Sequence, residues 1–215
     1  MIHHLSEAHS LVQIWINELR DHAIQQDRMR FRRNIERIGE VAAYEISKTL
    51  SYEAIKITSP LENTTGYNLK NQPVIATILR AGLPLFQGLM NYLDKADSSF
   101  VAAYRKHDEQ GFHIEQSYVT APNLEGRPLI IADPMLATGA SFIKAIPSLL
   151  SNGTPSELHI VCVIASQEGI NFVKQALPEA HIWVGAIDPR LNDKSYILPG
   201  LGDAGDLCFG EKLQN

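Results

Sequence analysis

Pro128-Leu129-Ile130-Ile131-Ala132-Asp133-Pro134-Met135-Leu136-Ala137-Thr138-Gly139-Ala140-Ser141 decides the fold of this chain. An apolar run ends abruptly in a carboxylate. A short loop carrying Thr, Gly and Ser follows, and a helical pattern opens behind it. The apolar run is continuous rather than alternating, so it predicts a strand buried on both faces, as in a parallel sheet covered by helices.

The same rhythm recurs on either side. Apolar runs at 74–79, 100–104, 158–164 and 182–187 read as further strands, and 114–120 as another. Helical patterns fit 83–93, 141–151 and 169–177. The first 50 residues predict two helices. Leu11, Ile14, Trp15 and Leu19 mark the first. The second runs from a cap at Asp27 to about Lys48, with Phe31, Ile35, Ile38, Ala42 and Ile46 as its apolar stripe. Residues 53–72 predict a small hairpin with its turn at Asn63-Thr64-Thr65-Gly66, and the polar stretch 105–113 predicts a mobile loop. The fold class is therefore α/β, a central parallel sheet flanked by helices, with a helical N-terminal segment and a small β appendage. One domain accounts for residues 1–215.

Composition narrows the function. The chain has 215 residues, 45% of them hydrophobic and 20% charged, with a net charge of −5. This is ordinary globular composition, and the acidic balance argues against nucleic acid as a partner. The 2 cysteines include no C-x-x-C pair, and Cys162 sits in an apolar run as a core thiol. No apolar stretch approaches the ~20 residues of a membrane helix, and no secretory signal is visible, so the expectation is a cytoplasmic protein without membrane contact. His3, His4 and His9 lack metal-ligand spacing, and Trp15 and Trp183 read as core anchors. Five arginines, Arg28, Arg30, Arg32, Arg33 and Arg37, crowd the second helix. They read as a solvated face or as an anion contact.

In sheets of this kind ligands sit beyond the carboxyl ends of the strands, so the residues just after each run carry the chemistry. The loop 133–141 presents small residues and a helix N-terminus, which suit a phosphate, and Thr138 and Ser141 add hydroxyl donors. It equally fits an ordinary strand–helix loop with a serine cap. It lacks the Gly-Lys-Ser/Thr ending of a nucleotide-hydrolase loop. Asp133 can accept hydrogen bonds from ribose hydroxyls. Leu79-Arg80-Ala81-Gly82 and Tyr104-Arg105 each place a guanidinium at a strand end, where it can clamp a phosphate. Three such ends point to one multiply anionic ligand. Near the C-terminus stands Tyr196-Ile197-Leu198-Pro199-Gly200-Leu201-Gly202-Asp203-Ala204-Gly205-Asp206. Its glycines match G-x-G-x-x-G, but ten residues after Gly205 leave no space for the helix, strand and ribose-binding acid of a dinucleotide fold. The reading that remains is a loop whose backbone groups meet a flat ligand.

These four motifs, taken in chain order from Leu79 to Asp206, resemble the uracil phosphoribosyltransferases, a family with the type I phosphoribosyltransferase fold. The resemblance covers nearly the whole chain. It implies transfer of the phosphoribosyl group of phosphoribosyl pyrophosphate (PRPP) to uracil, giving UMP and pyrophosphate. It implies Mg²⁺ held mainly through PRPP, with no direct protein ligand. It further implies a homo-oligomer, and admits GTP as an effector. Carried onto this sequence, Arg80 and Arg105 contact the pyrophosphate side. Asp133 faces the ribose hydroxyls, Ala137, Thr138, Gly139, Ala140 and Ser141 cradle the 5′-phosphate, and Pro134, Met135 and Leu136 complete the PRPP-binding stretch between them. Ile197, Gly202, Asp203 and Ala204 read uracil, and Asp203 also faces PRPP. Arg105 and Asp203 are the implied catalytic residues. The sequence departs from the family at Ala140, in place of a second glycine, at Leu207, in place of a basic residue, and in the segment 106–112. Two rival readings are a non-catalytic sensor of PRPP or UMP and an enzyme for another base. The retained arginines, phosphate loop and base loop weigh against the first, and the Gly-Leu-Gly-Asp-Ala-Gly loop weighs against a purine.

Overall fold

The structure, a computed structural model, describes residues 1–108 and 111–211, with side chains described outside 103–117. In chain order the elements are β1 (Ile2–His4), α1 (Leu11–Arg20), α2 (Arg28–Ser47), β2 (Tyr52–Thr58), β3 (Asn63–Leu69), β4 (Val74–Leu79) and α3 (Leu83–Tyr92). β5 (Asp97–Asp108), β6 (Gly111–Thr120), β7 (Pro128–Ala132), β8 (Met135–Leu136), α4 (Ala140–Leu150), β9 (Glu157–Ser166) and α5 (Gln167–Ala176) follow. β10 (His181–Asp188), β11 (Arg190–Leu191), β12 (Ile197–Leu198) and α6 (Ala204–Phe209) complete the order.

The main sheet runs β1-β10-β9-β7-β4-β5-β6, and β8 adds to β9. Every pairing in it is parallel except β5 with β6. The continuous apolar runs have the expected cause, because alternate residues enter two different cores. Ile75, Ile130, Val161, Val163 and Trp183 face the layer of α1, α2 and α3. Val74, Ala76, Leu129, Ile131, Ile160, Cys162 and Val184 face α4 and α5 through Phe142, Leu149, Ile170 and Val173. Helix α2 begins where expected, with the Asp27 carboxylate accepting from the Arg30 N–H at 3.0 Å. It approaches α3 closely because Gly39 and Gly88 face each other's backbones, and a Cβ on Gly88 would overlap the Glu36 carbonyl.

Three expectations need correction. Residues 105–113 are not a loop as far as they are described. β5 and β6 extend past the sheet as an antiparallel ribbon, in which Arg105 pairs with Ile114 and Asp108 with Gly111. The ladder is made of backbone groups and needs no apolar side chains, so polar composition hid it. The turn of the appendage lies at 59–62, where the Ser59 hydroxyl accepts from the Leu61 and Glu62 N–H groups. Asn63–Gly66 instead lies within β3, where Asn63 pairs with Thr58 and Gly66 with Ile55. Trp15 is only partly buried and lies 5.8 Å beneath the Arg37 guanidinium. Trp183 is the core anchor that was expected, at 4% exposure.

Strand β1 was not foreseen. Three residues give no periodic signal. It is held on β10 by His3, which stacks on Trp183 with ring centroids 3.8 Å apart and meets His181 at 3.1 Å. Beneath them the buried Trp183 Nε1–H donates to His159 Nδ1 at 3.1 Å. An indole can only donate, so Nδ1 carries no proton, and Nε2–H donates to Glu157 at 3.1 Å. Glu157 favours the charged ring, but burial outweighs it and pushes the His159 pKa down to about 3, helped by His181 and His3. The native state therefore keeps His159 neutral where the unfolded chain binds a proton. Stability is full above the unfolded value of 6.5 and is lost as pH falls from there toward 3. The loss is up to about 1.4 kcal/mol per pH unit. Urea midpoints measured from pH 7.5 to 4.5 should show this slope, and His159→Gln, which keeps an acceptor for Trp183, should flatten it.

Candidate active site

The order of the sheet reverses at β4. The chain passes from β4 to β5 on one side, and then returns to place β7 on the other. Ligands collect in the crevice at such a switch point, beyond the strands' carboxyl ends. Arg80 follows β4 there, and Asp133 follows β7.

After β4 the chain turns sharply through Arg80, Ala81 and Gly82, with a cis peptide between Leu79 and Arg80. Gly82 admits no side chain, because a Cβ would lie 2.7 Å from the Ala132 carbonyl and clash with Thr77. The two strand ends are thereby drawn together. The Arg80 Nη2 donates to the Asp206 carboxylate at 3.1 Å and to the Gly210 carbonyl at 3.3 Å.

After β7, the Asp133 carboxylate accepts from the Met135 N–H at 3.3 Å, which turns the chain into β8. Pro134 and Leu136 are buried, and the Pro134 carbonyl accepts from Val163 and Ile164. These two residues can offer a ligand little but backbone. Thr138 accepts from the Ala140 N–H at 3.3 Å, and Gly139 caps α4 with φ at +80°. A Cβ on Gly139 would also lie 2.8 Å from the Val173 side chain. The cap is thus Gly139, and Ser141 stands inside the first turn rather than at the cap. Ala140 lies within the helix, and among the described residues Ser195 is the only non-glycine with positive φ. The departure at Ala140 therefore brings no left-handed backbone strain.

The glycine-rich loop near the C-terminus starts on β12, which pairs with β11, and passes a cis Leu198–Pro199 bond. Gly200 and Gly202 take φ of +63° and +93°. Asp203 caps α6, accepting from the Asp206 N–H at 3.1 Å. Ile197 and Ala204 are buried, so what they present is mainly backbone. Leu207 packs against the α1–α3 core, with Cδ1 3.7 Å from where a Gly202 Cβ would stand. A Cβ on Gly205 would lie 3.9 Å from both Ala81 and Arg80 Nη2. The start of α6, just after the glycine-rich loop, therefore meets the loop after β4.

Arg105 occupies β5, paired through backbone with Ile114. Its side chain lies outside the described residues. Cys208, beside Arg32, Asp203 and Arg80, is buried, and burial pushes its thiol up to about 12, so it is inert. The arginine cluster on α2 is divided in its contacts. Arg30 pairs with Glu18, and Arg33 with Glu36 and Glu40. Arg32 turns toward the site and donates to the Cys208 carbonyl at 2.7 Å.

Sequence reasoning missed what anchors the glycine-rich loop. Asp188, at the tip of β10, accepts from Arg20 through both carboxylate oxygens, at 2.7 and 2.9 Å, and from the Gly200 N–H at 3.0 Å. Arg20 also donates to the Gly200 carbonyl at 2.9 Å. The available signal was the one that exposed Asp133, an apolar run ending in a carboxylate. Asp206 lies in the same glycine-rich motif, but nothing local in the sequence signals its contact with Arg80.

The sequence pattern of the uracil phosphoribosyltransferase family matches residues 6–211. The uracil phosphoribosyltransferase of Porphyromonas gingivalis is 48% identical over 212 residues, covering 98% of each chain. That of Pyrococcus furiosus is 40% identical over 202 residues, covering 93% of this chain and 86% of that one. A protein of solved structure from Aquifex aeolicus superposes with a TM-score of 0.88 at 30% identity, covering 100% of both chains. By its sequence this chain belongs to the uracil phosphoribosyltransferase family.

Proposed function

We infer that this chain transfers the phosphoribosyl group of PRPP to uracil, giving UMP and pyrophosphate. Membership of the family carries the reaction. The observation that carries the assignment of the site is the meeting of the base loop with Arg80 at the switch point of the sheet. Breaking the bond from the anomeric carbon to pyrophosphate builds positive charge on the ribose and negative charge on the leaving group. Arg80 and Arg105 stabilise the leaving group, and the 133–141 loop fixes the 5′-phosphate. Backbone groups of Ile197, Gly202 and Ala204 hold uracil so that N1 faces the anomeric carbon, and Asp203 lies between base and ribose. No covalent enzyme intermediate is needed.

The donor set suits Mg²⁺. Asp133 and Asp203 offer hard carboxylate oxygens at loop ends, and no cluster of three or more metal-ligating side chains occurs among the described residues. A hydrated ion held chiefly by substrate phosphates matches that supply. When bound, Mg²⁺ neutralises charge on the pyrophosphate. Chelation should abolish turnover, and added Mg²⁺ should restore it.

The same proposal includes assembly. The β2–β3 hairpin exposes Tyr52, Ile57, Leu61 and Tyr67. A two-stranded hairpin is marginal alone in water, so a second copy of the chain covering it supports a homo-oligomer. Light scattering on the wild type and on Ile57→Glu checks this. GTP as an effector is supported by the cationic surface of Arg28 and Arg32 beside α6, and is checked by adding GTP to the assay. A cytoplasmic location is supported by two free thiols, Cys162 and Cys208.

Two tests address the site. Gly139→Ala forces a side chain into a left-handed backbone and against Val173. The PRPP KM should rise on the order of tenfold while the uracil KM stays near its wild-type value. Supplying cytosine, hypoxanthine or orotate in place of uracil should give no nucleotide, and turnover of any of them at the uracil rate would contradict the base assignment.

A further inference from the structure

Arg80 spends one nitrogen on α6. Both protons of its Nη2 are directed there, one to Asp206 and one to the Gly210 carbonyl. Among the described residues, its Nε and Nη1 protons meet no acceptor, so they remain to face a phosphate. The pair is exposed, with side-chain exposures of 41% for Arg80 and 30% for Asp206. Such a pair adds little to stability. Its consequence is orientation, since it picks one direction for a long side chain.

The partner helix is itself fixed at both ends. Asp203 caps its first turn through the Asp206 N–H. Its last turn is closed by Gly210 N–H donating to the Asp206 carbonyl at 2.8 Å, and by Arg32 of α2 donating to the Cys208 carbonyl. A guanidinium at a helix C-terminus is favourable on both hydrogen-bonding and dipole grounds. One short element thus carries the base-reading Asp203 and Ala204 at its start and the Arg80 anchor further along.

We propose that Asp206 is a positioning residue, which holds Arg80 through Nη2 so that its other N–H groups meet the pyrophosphate of PRPP. This rests on the assignment of Arg80 to pyrophosphate made above. It also makes α6 the physical link between the base loop and the pyrophosphate loop. The sign of the effect separates it from plain charge. Asp206 is an anion beside a site for a polyanion, so by charge alone its removal tightens pyrophosphate binding. By positioning, its removal weakens it.

The test is a double-mutant cycle with magnesium pyrophosphate as the probe, run on wild type, Arg80→Ala, Asp206→Ala and the double variant, with PRPP and uracil KM values alongside. Arg80→Ala should weaken pyrophosphate binding about 10–100-fold. Asp206→Ala should weaken it about fivefold, the upper range for an exposed pair. The double variant should bind like Arg80→Ala, because Asp206 acts only through Arg80. The uracil KM should barely change, whereas a merely structural loss of α6 would raise it. Asp206→Asn keeps an acceptor for Nη2 and should recover most of the loss, which also covers the case of a poorly folded alanine variant. Unchanged or tighter binding in Asp206→Ala and Asp206→Asn overturns the proposal, as does an equal further loss in the Arg80→Ala background. Unchanged binding in Arg80→Ala removes the Arg80 assignment and this inference with it, while UMP formation by the wild type shows that the reaction itself stands.

Discussion

Replacing Arg105 with Ala is expected to lower kcat by on the order of 10²–10³ while leaving the fold intact. The leaving pyrophosphate gains charge as the bond to the ribose breaks, so a guanidinium aimed at it contributes more in the transition state than in the bound substrate. Loss of such a group lowers kcat and kcat/KM together. The fold should survive because Arg105 contributes to the sheet through its backbone, paired with Ile114 of β6. A similar thermal midpoint beside a collapsed rate would therefore place the loss in chemistry. Arg105→Lys separates charge from geometry, since a lysine keeps the charge but not the planar fork. An unchanged steady-state rate in Arg105→Ala would remove Arg105 from the mechanism.

Replacing Asp188 with Ala should produce the largest loss of stability among the site variants. Asp188 is 4% exposed and accepts from Nη1 and Nη2 of Arg20 and from the Gly200 N–H. Removing it leaves a guanidinium and an N–H without their acceptor in a largely buried place. Breaking one partner of a buried pair costs about 3–5 kcal/mol. For a chain of this size that lowers the thermal midpoint by about 10 °C. The loop released is the one carrying Gly200, Gly202 and Asp203, so the uracil KM should rise more than the PRPP KM. Asp188→Asn still offers Gly200 an acceptor and should fall between the two. Equal midpoints for wild type and Asp188→Ala would show that the base loop is held by something else.

The parts of this fold that sequence revealed are those with a local physical signature. Strands β4, β7, β9 and β10 sit between two cores, and their unbroken apolar runs say so. Helix α2 shows its stripe at helical spacing and its Asp27 cap within a few residues. The loop 133–141 is compact in sequence, so its strand, carboxylate and helix could be read together, although the cap is Gly139 and not the serine the loop suggested. What stayed hidden depends on distant partners or on backbone alone. Arg20 and Asp188 are 168 residues apart, and Arg80 and Asp206 are 126 apart. Neither pair leaves a mark in any short window. The far end of the β5–β6 ribbon is a backbone ladder in a polar stretch, so 105–113 read as a loop while 100–104 and 114–120 read as strands. Strand β1 has three residues and depends on stacking against Trp183. The family resemblance supplied the substrates, which composition and periodicity do not contain.

The most direct measurement of the central claim is formation of UMP and pyrophosphate by the purified chain given uracil, PRPP and Mg²⁺. The two products should appear together in equal amounts, and neither should form when uracil, PRPP or the metal is withheld. Binding of PRPP or UMP with no UMP formed from uracil would contradict it, and would make this chain a sensor built on the same fold.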